Sequence, residues 1–243
     1  MIDFIWVKSY RKHFWVGGGQ FRAPDNHGQQ DLRLLCPALI VSGMATRAAI
    51  GFSLHTGWAA LVAIAGEPGR LEVLLRRRIE LLPPDSSVPR FVYHEAAKLG
   101  ASQAAELVHR AVDASQAAAR IAVEDALDHL RSVNCAVIAA GIPCNSRPVP
   151  KDLSTVLRSH PMIHTAEGIL FQQALAWGCK GCGLAVTSAR ARDVWLAASN
   201  TWGLNEATLH KQVDGLRVSV GAPWGSDQKT GTVFALLALR PVS

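Results

Sequence analysis

A chain of 243 residues, 49% apolar and 18% charged, can bury one good-sized core and is too apolar for a disordered or fibrous protein. No apolar run reaches the ~20 residues of a membrane helix, so no membrane partner is expected. The five cysteines are an odd number in a mid-sized chain, which argues against a secreted disulfide framework and for the cytoplasm.

The formal charge is +6, and half of that excess lies before residue 49. There Lys8, Arg11, Lys12, Arg22, Arg33 and Arg47 face only Asp3, Asp25 and Asp31. The rest of the chain is mildly basic, which permits a nucleic-acid partner without demanding one; a protein partner is equally compatible. The densest basic run is Arg76-Arg77-Arg78, which reads as a solvated strand end. Cys179-Lys180-Gly181-Cys182 is a lone CxxC without a second pair at zinc-finger spacing, so its thiols read as structural.

Residues 1–46 read as a poorly ordered leader. Met1 to Trp6 is apolar, but the cations follow it, the reverse of a signal peptide. Gly17-Gly18-Gly19 and the polar run from Pro24 to Gln30 break any periodicity, and Met44 would serve as an initiator. The domain is expected over residues 47–243.

Ala48 to Leu54, Trp58 to Ala65 and Leu71 to Leu82 are strand-like, joined by His55-Thr56-Gly57 and Gly66-Glu67-Pro68-Gly69. In the third, Leu71, Val73 and Leu75 are expected on one face, and Glu72, Leu74 and Arg76 on the other. Three strands joined by short turns form an antiparallel meander. A long helix follows from Ser102 to Val133, with Leu107, Ala111, Ala114, Ala118, Ile121, Leu127 and Leu130 as its apolar stripe. Cys135 to Ile142 is continuously apolar, as in a strand buried on both faces. Asp152 to Ser159 is a short helix. His164 or Thr165 opens another, ended by Gly178 and Gly181, and Gly183 to Thr187 is a second buried strand. Helices over Asp193 to Thr201 and Asn205 to Val213 precede a last one beginning near Asp227. The class is α/β: a mixed five-stranded sheet, made of a three-strand antiparallel meander plus two parallel strands, with helices on both faces.

This order resembles the ribonuclease H-like superfamily, and within it the RuvC-type resolvases. The run Ile50-Gly51-Phe52-Ser53-Leu54-His55-Thr56-Gly57-Trp58-Ala59 is similar to their first hairpin. Glu167 through Leu175 into Gly183-Leu184-Ala185-Val186 is similar to their helix and fifth strand. Trp224-Gly225-Ser226-Asp227-Gln228-Lys229 into Ala235-Leu236-Leu237-Ala238 is similar to their closing helix. A weaker resemblance, to the middle domain of class I release factors, rests on Ala139-Ala140-Gly141 and Ile163-His164-Thr165-Ala166-Glu167-Gly168; it leaves the last helix unexplained.

The first resemblance implies carboxylates around divalent metals, Mg²⁺ or Mn²⁺, that activate a water against a phosphodiester. Hard cations need oxygen ligands, and here Ser53 stands at the first-strand acid position and Gly141 or Ile142 at the fourth-strand one. Asp227 alone matches. The expected protein is therefore a degenerate member that binds nucleic acid or a partner without efficient cleavage. The alternatives are a metal-dependent phosphodiesterase with a remodelled His/Glu/Asp set and a ribosome-associated interaction domain.

Polar residues still gather where the strands' carboxyl ends should lie, the usual site of open α/β sheets. His164, Glu167 and Asp227 are the candidate catalytic residues, with Glu167 and Asp227 as metal ligands. His55, Thr56, Gly57, Trp224 and Lys229 are the candidate binding residues. Each has an ordinary explanation beside the functional one: Thr165 as a helix cap with Glu167 in its first turn, Ser226 or Asp227 as another cap, and His55 as a turn residue. His94, Glu95 and Glu106 fit a solvated surface near the long helix, and Trp177, Trp195 and Trp202 fit core packing.

Overall fold

Residues 45–83, 86–145 and 147–241 are described by the structure, a computed structural model. The leader and Met44 lie outside them, except for Ala45 and Thr46, and Thr46 is already the first residue of a strand.

Strands β1 (Thr46–His55), β2 (Trp58–Ala65) and β3 (Glu72–Glu80) form the meander, with β4 (Cys135–Pro143) and β5 (Ala185–Ala189) following later in the chain. The sheet order is β3-β2-β1-β4-β5; β1, β4 and β5 are parallel, and the two pairings within the meander are antiparallel. This is the mixed five-stranded sheet expected, with β1 at its centre and β4 parallel beside it.

Each face carries its own core. On one, Ile50, Phe52 and Leu61 pack with Phe171 and Leu175 against helices α1 (Val92–Ala96), α2 (Ala101–Ser132) and α4 (His160–Gly181), with α3 (Leu153–Leu157) beside α4. On the other, Ala49, Val62 and Ile64 lie under α8 (Ser226–Leu239), which is flanked by α5 (Val194–Trp202), α6 (Glu206–Gly215) and the single turn α7 (Arg217–Val220). Full burial of a side chain such as Phe52 or Phe234 contributes about 1.5–3 kcal/mol, so α8, left unexplained by the release-factor resemblance, organises one whole core.

Several local expectations are corrected. In β3, Ile64 pairs with Val73 but Ala63 with Leu75, so Leu74 is an extra, bulged residue. Strict alternation therefore fails: Leu71 and Val73 meet one core, Leu74 and Leu75 the other. The stripe of α2 runs through Leu107, Ala111, Ser115, Ala119 and Val123, and Ile121 is exposed. Its small residues let α4 cross closely: a Cβ on Gly178 would come within 3.0 Å of the backbone of Ala119 and Arg120. Gly178 is thus a crossing point and not a helix end. The helix ends at Gly181, as expected, and is closed at Gly183, at φ +78°, where Gly183 N–H bonds the Lys180 carbonyl and Leu184 N–H the Cys179 carbonyl, a Schellman closure. That closure also moves the start of β5 two residues beyond its expected position.

α4 begins at His160, with Ser159 at its N-cap position and Pro161 in its first turn, so His164 and Thr165 are helix interior. Thr165 Oγ1 donates to the Pro161 carbonyl one turn back and caps nothing.

Candidate functional site

The carboxyl ends of β1 and β4 meet α4 from one layer and α8 from the other around a cleft of about 420 Å³. Ser53, His55 and Thr56 line it from β1 and its turn, Asn145 from the end of β4, His164 and Glu167 from α4, and Thr230 from α8. Two separate hydrogen-bonded sets occupy its walls.

The first set belongs to α8. Asp227, in the first turn of that helix, reaches back to β1, where its Oδ1 accepts from Ser53 Oγ at 2.9 Å and contacts His55 Nε2 at 2.7 Å. Strand alternation puts Ser53 and His55 on the same face, and the helix N-terminus favours the carboxylate. The three residue types are those of an acyl-transfer triad, but the connection differs. Ser53 donates to the aspartate and not to the imidazole, so the histidine is not placed as its general base. His55 also stacks on Trp58, with centroids 4.1 Å apart, and the Arg78 guanidinium lies 3.9 Å from that ring.

The second set belongs to α4 and α1. Glu167 is 4% exposed. Its Oε1 accepts the Tyr93 backbone N–H at 2.9 Å and the His94 N–H at 3.4 Å, and lies 3.2 Å from His94 Nδ1. Burial, with the adjoining Glu167 carboxylate, pushes the Tyr93 phenol up to about 12, so it stays neutral. Glu167 Oε2 has no hydrogen-bond partner among the described residues. His94, His160 and His164 gather beside it, each offering a ligand nitrogen, all within 4.8 Å of one another.

Glu167 and Asp227 thus belong to two separate hydrogen-bonded sets. They hang from helices on opposite layers of the sheet, and each is held by its own donors. Among the described residues, the one group of three His, Cys, Asp or Glu side chains close enough for a common ion is the histidine cluster. The two strand positions at which the ribonuclease H-like resemblance implies acids carry no carboxylate. Position 53 offers a hydroxyl, and Gly141 lies beneath α8, where a Cβ would sit 1.9 Å from the Phe234 carbonyl oxygen. Ile142 points into the opposite core.

Three further expected residues have structural duties. Gly57, at φ +80°, turns the β1–β2 hairpin, and its carbonyl accepts the Leu81 and Leu82 N–H groups. Trp224 is core, 8% exposed, its Nε1 donating to the Val213 carbonyl at 2.9 Å. Lys229 pairs with Asp214 at 2.8 Å. The varied loop before α8 is thus mainly an anchor for that helix. Thr56 stays at the cleft, its carbonyl accepting Arg90 Nε at 2.8 Å.

The Arg76–Arg78 run is engaged internally. Arg76 donates to the carbonyls of Val220, Gly221, Ala222 and Pro223, Arg77 pairs with Asp125, and Arg78 with Glu80. Cys179 is buried and its thiol is pushed up to about 12, which opposes the thiolate a metal would need. Among the expected tryptophans, Trp202 Nε1 bonds the Leu236 carbonyl, whereas Trp177 is 42% exposed. Glu95 pairs with Lys98 at the surface, and Glu106 is exposed on α2.

A helix opened at His164 or Thr165, as the sequence reading has it, leaves His160 outside the element. The Ser159-His160-Pro161 start signal would have revealed the i, i+4 pair.

Sheet order and helices on both faces give an α/β fold of the ribonuclease H-like kind, with a polar cleft at the parallel strands' carboxyl ends. The chain is similar to Thermus thermophilus RuvC in complex with Holliday junction substrate, at 15% identity and a TM-score of 0.45, over 79% of this chain and 91% of that one. It is also similar to a second Thermus thermophilus RuvC structure, at 16% identity and a TM-score of 0.41, over 78% and 92% of the two chains. No protein-family model and no curated protein sequence matches it. No helix among the described residues is long and apolar enough to cross a membrane.

Proposed function

We propose that this protein is a ribonuclease H-like domain that binds nucleic acid at the cleft and does not cut it by Mg²⁺-dependent chemistry. The observation that carries the reading is the state of Asp227. It matches an acid position of the nuclease family, and its oxygen is engaged by both Ser53 and His55. The fourth-strand acid position is closed by α8 packing on Gly141. A two-metal mechanism needs several carboxylates around the ions, and Ser53 on β1 and Gly141 on β4 supply none.

Binding is supported by the cations at the same end of the sheet. Arg90 is bonded to the β1–β2 turn, Arg147 follows β4 by four residues, and Arg190 follows β5 directly; all three are exposed. Guanidinium groups suit phosphate oxygens because their fork of donors matches them. A reducing, cytoplasmic setting suits the odd number of cysteines in the sequence.

The test uses a labelled four-way junction, a duplex and a single strand, with binding read by anisotropy over a salt series. Binding should weaken linearly in log salt, and Arg90→Ala or Arg147→Ala should each lower that slope by about 1 if it contacts one phosphate. All three probes should stay intact over hours in Mg²⁺. Mg²⁺-dependent turnover that Asp227→Asn abolishes, or no binding even at low salt, would overturn the reading.

A further inference from the structure

We propose that His94, His160 and His164 form a three-nitrogen site for a divalent zinc-class cation, with Glu167 as the outer carboxylate that orients His94. The site lies on α1 and α4, apart from the Asp227 set, and stands whether or not the cleft binds nucleic acid.

The argument starts from the backbone. His160 and His164 are four residues apart on α4 and so share one face. That helix is fixed below by buried Ile163, Ala166 and Leu170. The short α1 brings His94 over the same face. The rings meet edge to face, with centroids at 4.4 Å for His160–His164, 4.8 Å for His94–His164 and 5.6 Å for His94–His160. One nitrogen of each lies within 4.8 Å of the other two. Zn–N bonds of about 2.1 Å in a tetrahedral site put ligand nitrogens about 3.4 Å apart. The remaining closure needs only rotation of His160 and His164, both exposed.

The Glu167 carboxylate separates this cluster from a chance aromatic contact. A proton on His94 Nδ1 directed at Glu167 Oε1, 3.2 Å away, leaves the Nε2 lone pair for a cation. That carboxylate–imidazole pairing is the usual support of a histidine ligand. The other oxygen of this buried carboxylate lacks a partner, and a buried negative charge is costly without a nearby positive one. A cation held by the three imidazoles supplies it. Core packing does not account for the cluster, since two of its three rings face solvent. Three imidazole nitrogens select zinc and its neighbours over Mg²⁺, which prefers oxygen. Three protein ligands leave a fourth position for water or an anionic oxygen. His164 and Asn145 line both the main cleft and the adjoining hollow that holds His160, so that position is reached from the cleft.

The experiment uses the full chain, stripped with chelator and titrated with ZnCl₂ alone against a chromophoric competitor. One equivalent should bind, and Co²⁺ in its place should give the visible absorption of a low-coordinate nitrogen site. His160→Ala and His164→Ala should each lower affinity by more than about 100-fold, the upper end of what losing an outer partner costs, and Glu167→Gln by about 10–100-fold. Because His160 and His164 are exposed, those two variants should keep the wild-type circular dichroism and melting curve without metal. Cys179→Ser with Cys182→Ser should leave zinc binding unchanged. Substoichiometric uptake, affinity undiminished in the His160→Ala/His164→Ala double variant, or dependence on the cysteines would overturn the proposal.

Discussion

The carbonyl oxygen of Phe234 occupies the space where a side chain on Gly141 would begin, 1.9 Å from the position of its Cβ. The same contact recurs one strand away, where a Cβ on Gly51 would lie 2.1 Å from the Gly231 carbonyl. Helix α8 therefore rests on bare backbone of β1 and β4. One packing decision brings Asp227 within reach of Ser53 and leaves no room for a side chain at position 141.

Gly141→Ala should accordingly destabilise the protein by about 3 kcal/mol or more, since neither helix nor sheet backbone can give way cheaply. Gly215→Ala, with open space around it at the end of α6, should change stability by less than about 1 kcal/mol. Urea unfolding of the two variants checks the contrast. Equal, small effects would mean that α8 does not sit this close.

Arg76 is expected to matter for folding and not for nucleic acid. Its guanidinium gathers four carbonyls, including Val220 at 2.7 Å, and so ties β3 to the segment that leads into α8. Arg76→Ala should cost about 2–3 kcal/mol through those lost charged hydrogen bonds. The salt slope of nucleic-acid binding should stay as in the wild type; a fall in that slope with stability intact would show that the basic run faces phosphate.

Trp224→Phe should remove about 1–2 kcal/mol, because the Val213 carbonyl loses the indole donor and keeps only the longer bond from Leu216 N–H at 3.3 Å. Binding of the junction or single strand should not change beyond the effect of stability. A large loss of affinity in a folded variant would return Trp224 to the list of stacking residues.

Asp152 caps α3, its carboxylate accepting from Thr155 N–H and from the Ser154 and Thr155 hydroxyls. These side-chain hydrogen bonds, Thr155 first, lower its pKa to about 2. The folded value lies below the unfolded one of about 3.9, so folding favours the charged form. Its stabilising contribution is complete above about pH 4 and is lost as pH falls toward 2. The stability difference between wild type and Asp152→Ala should shrink over that window in denaturant titrations, and a pH-independent difference would contradict the cap.

The fold was legible because it rests on patterns confined to single segments. Apolar runs at 48–54 and 135–142, turn glycines at 57, 66 and 69, and the long alanine-rich helix each report their own element. The errors came where a residue answers to a distant one. Gly178 looked like a stop signal and is a crossing point with Ala119, while Leu74 looked like part of an alternation and is a bulge opposite β2. The candidate site was legible as a neighbourhood. His55, Thr56, His164 and Glu167 do line one cleft, whereas Trp224 and Lys229 turn away from it.

Composition and local periodicity by themselves determined the class of fold and the order and sense of its strands. Only the tertiary structure decided that Asp227 belongs to Ser53 and His55, that Glu167 belongs to His94, and that His160 stands with His164. The physical reason is that strand and helix periods fix which residues share a face of one element. Which faces then meet depends on layers, crossings and close backbone approaches between segments as distant in the chain as residues 53 and 227.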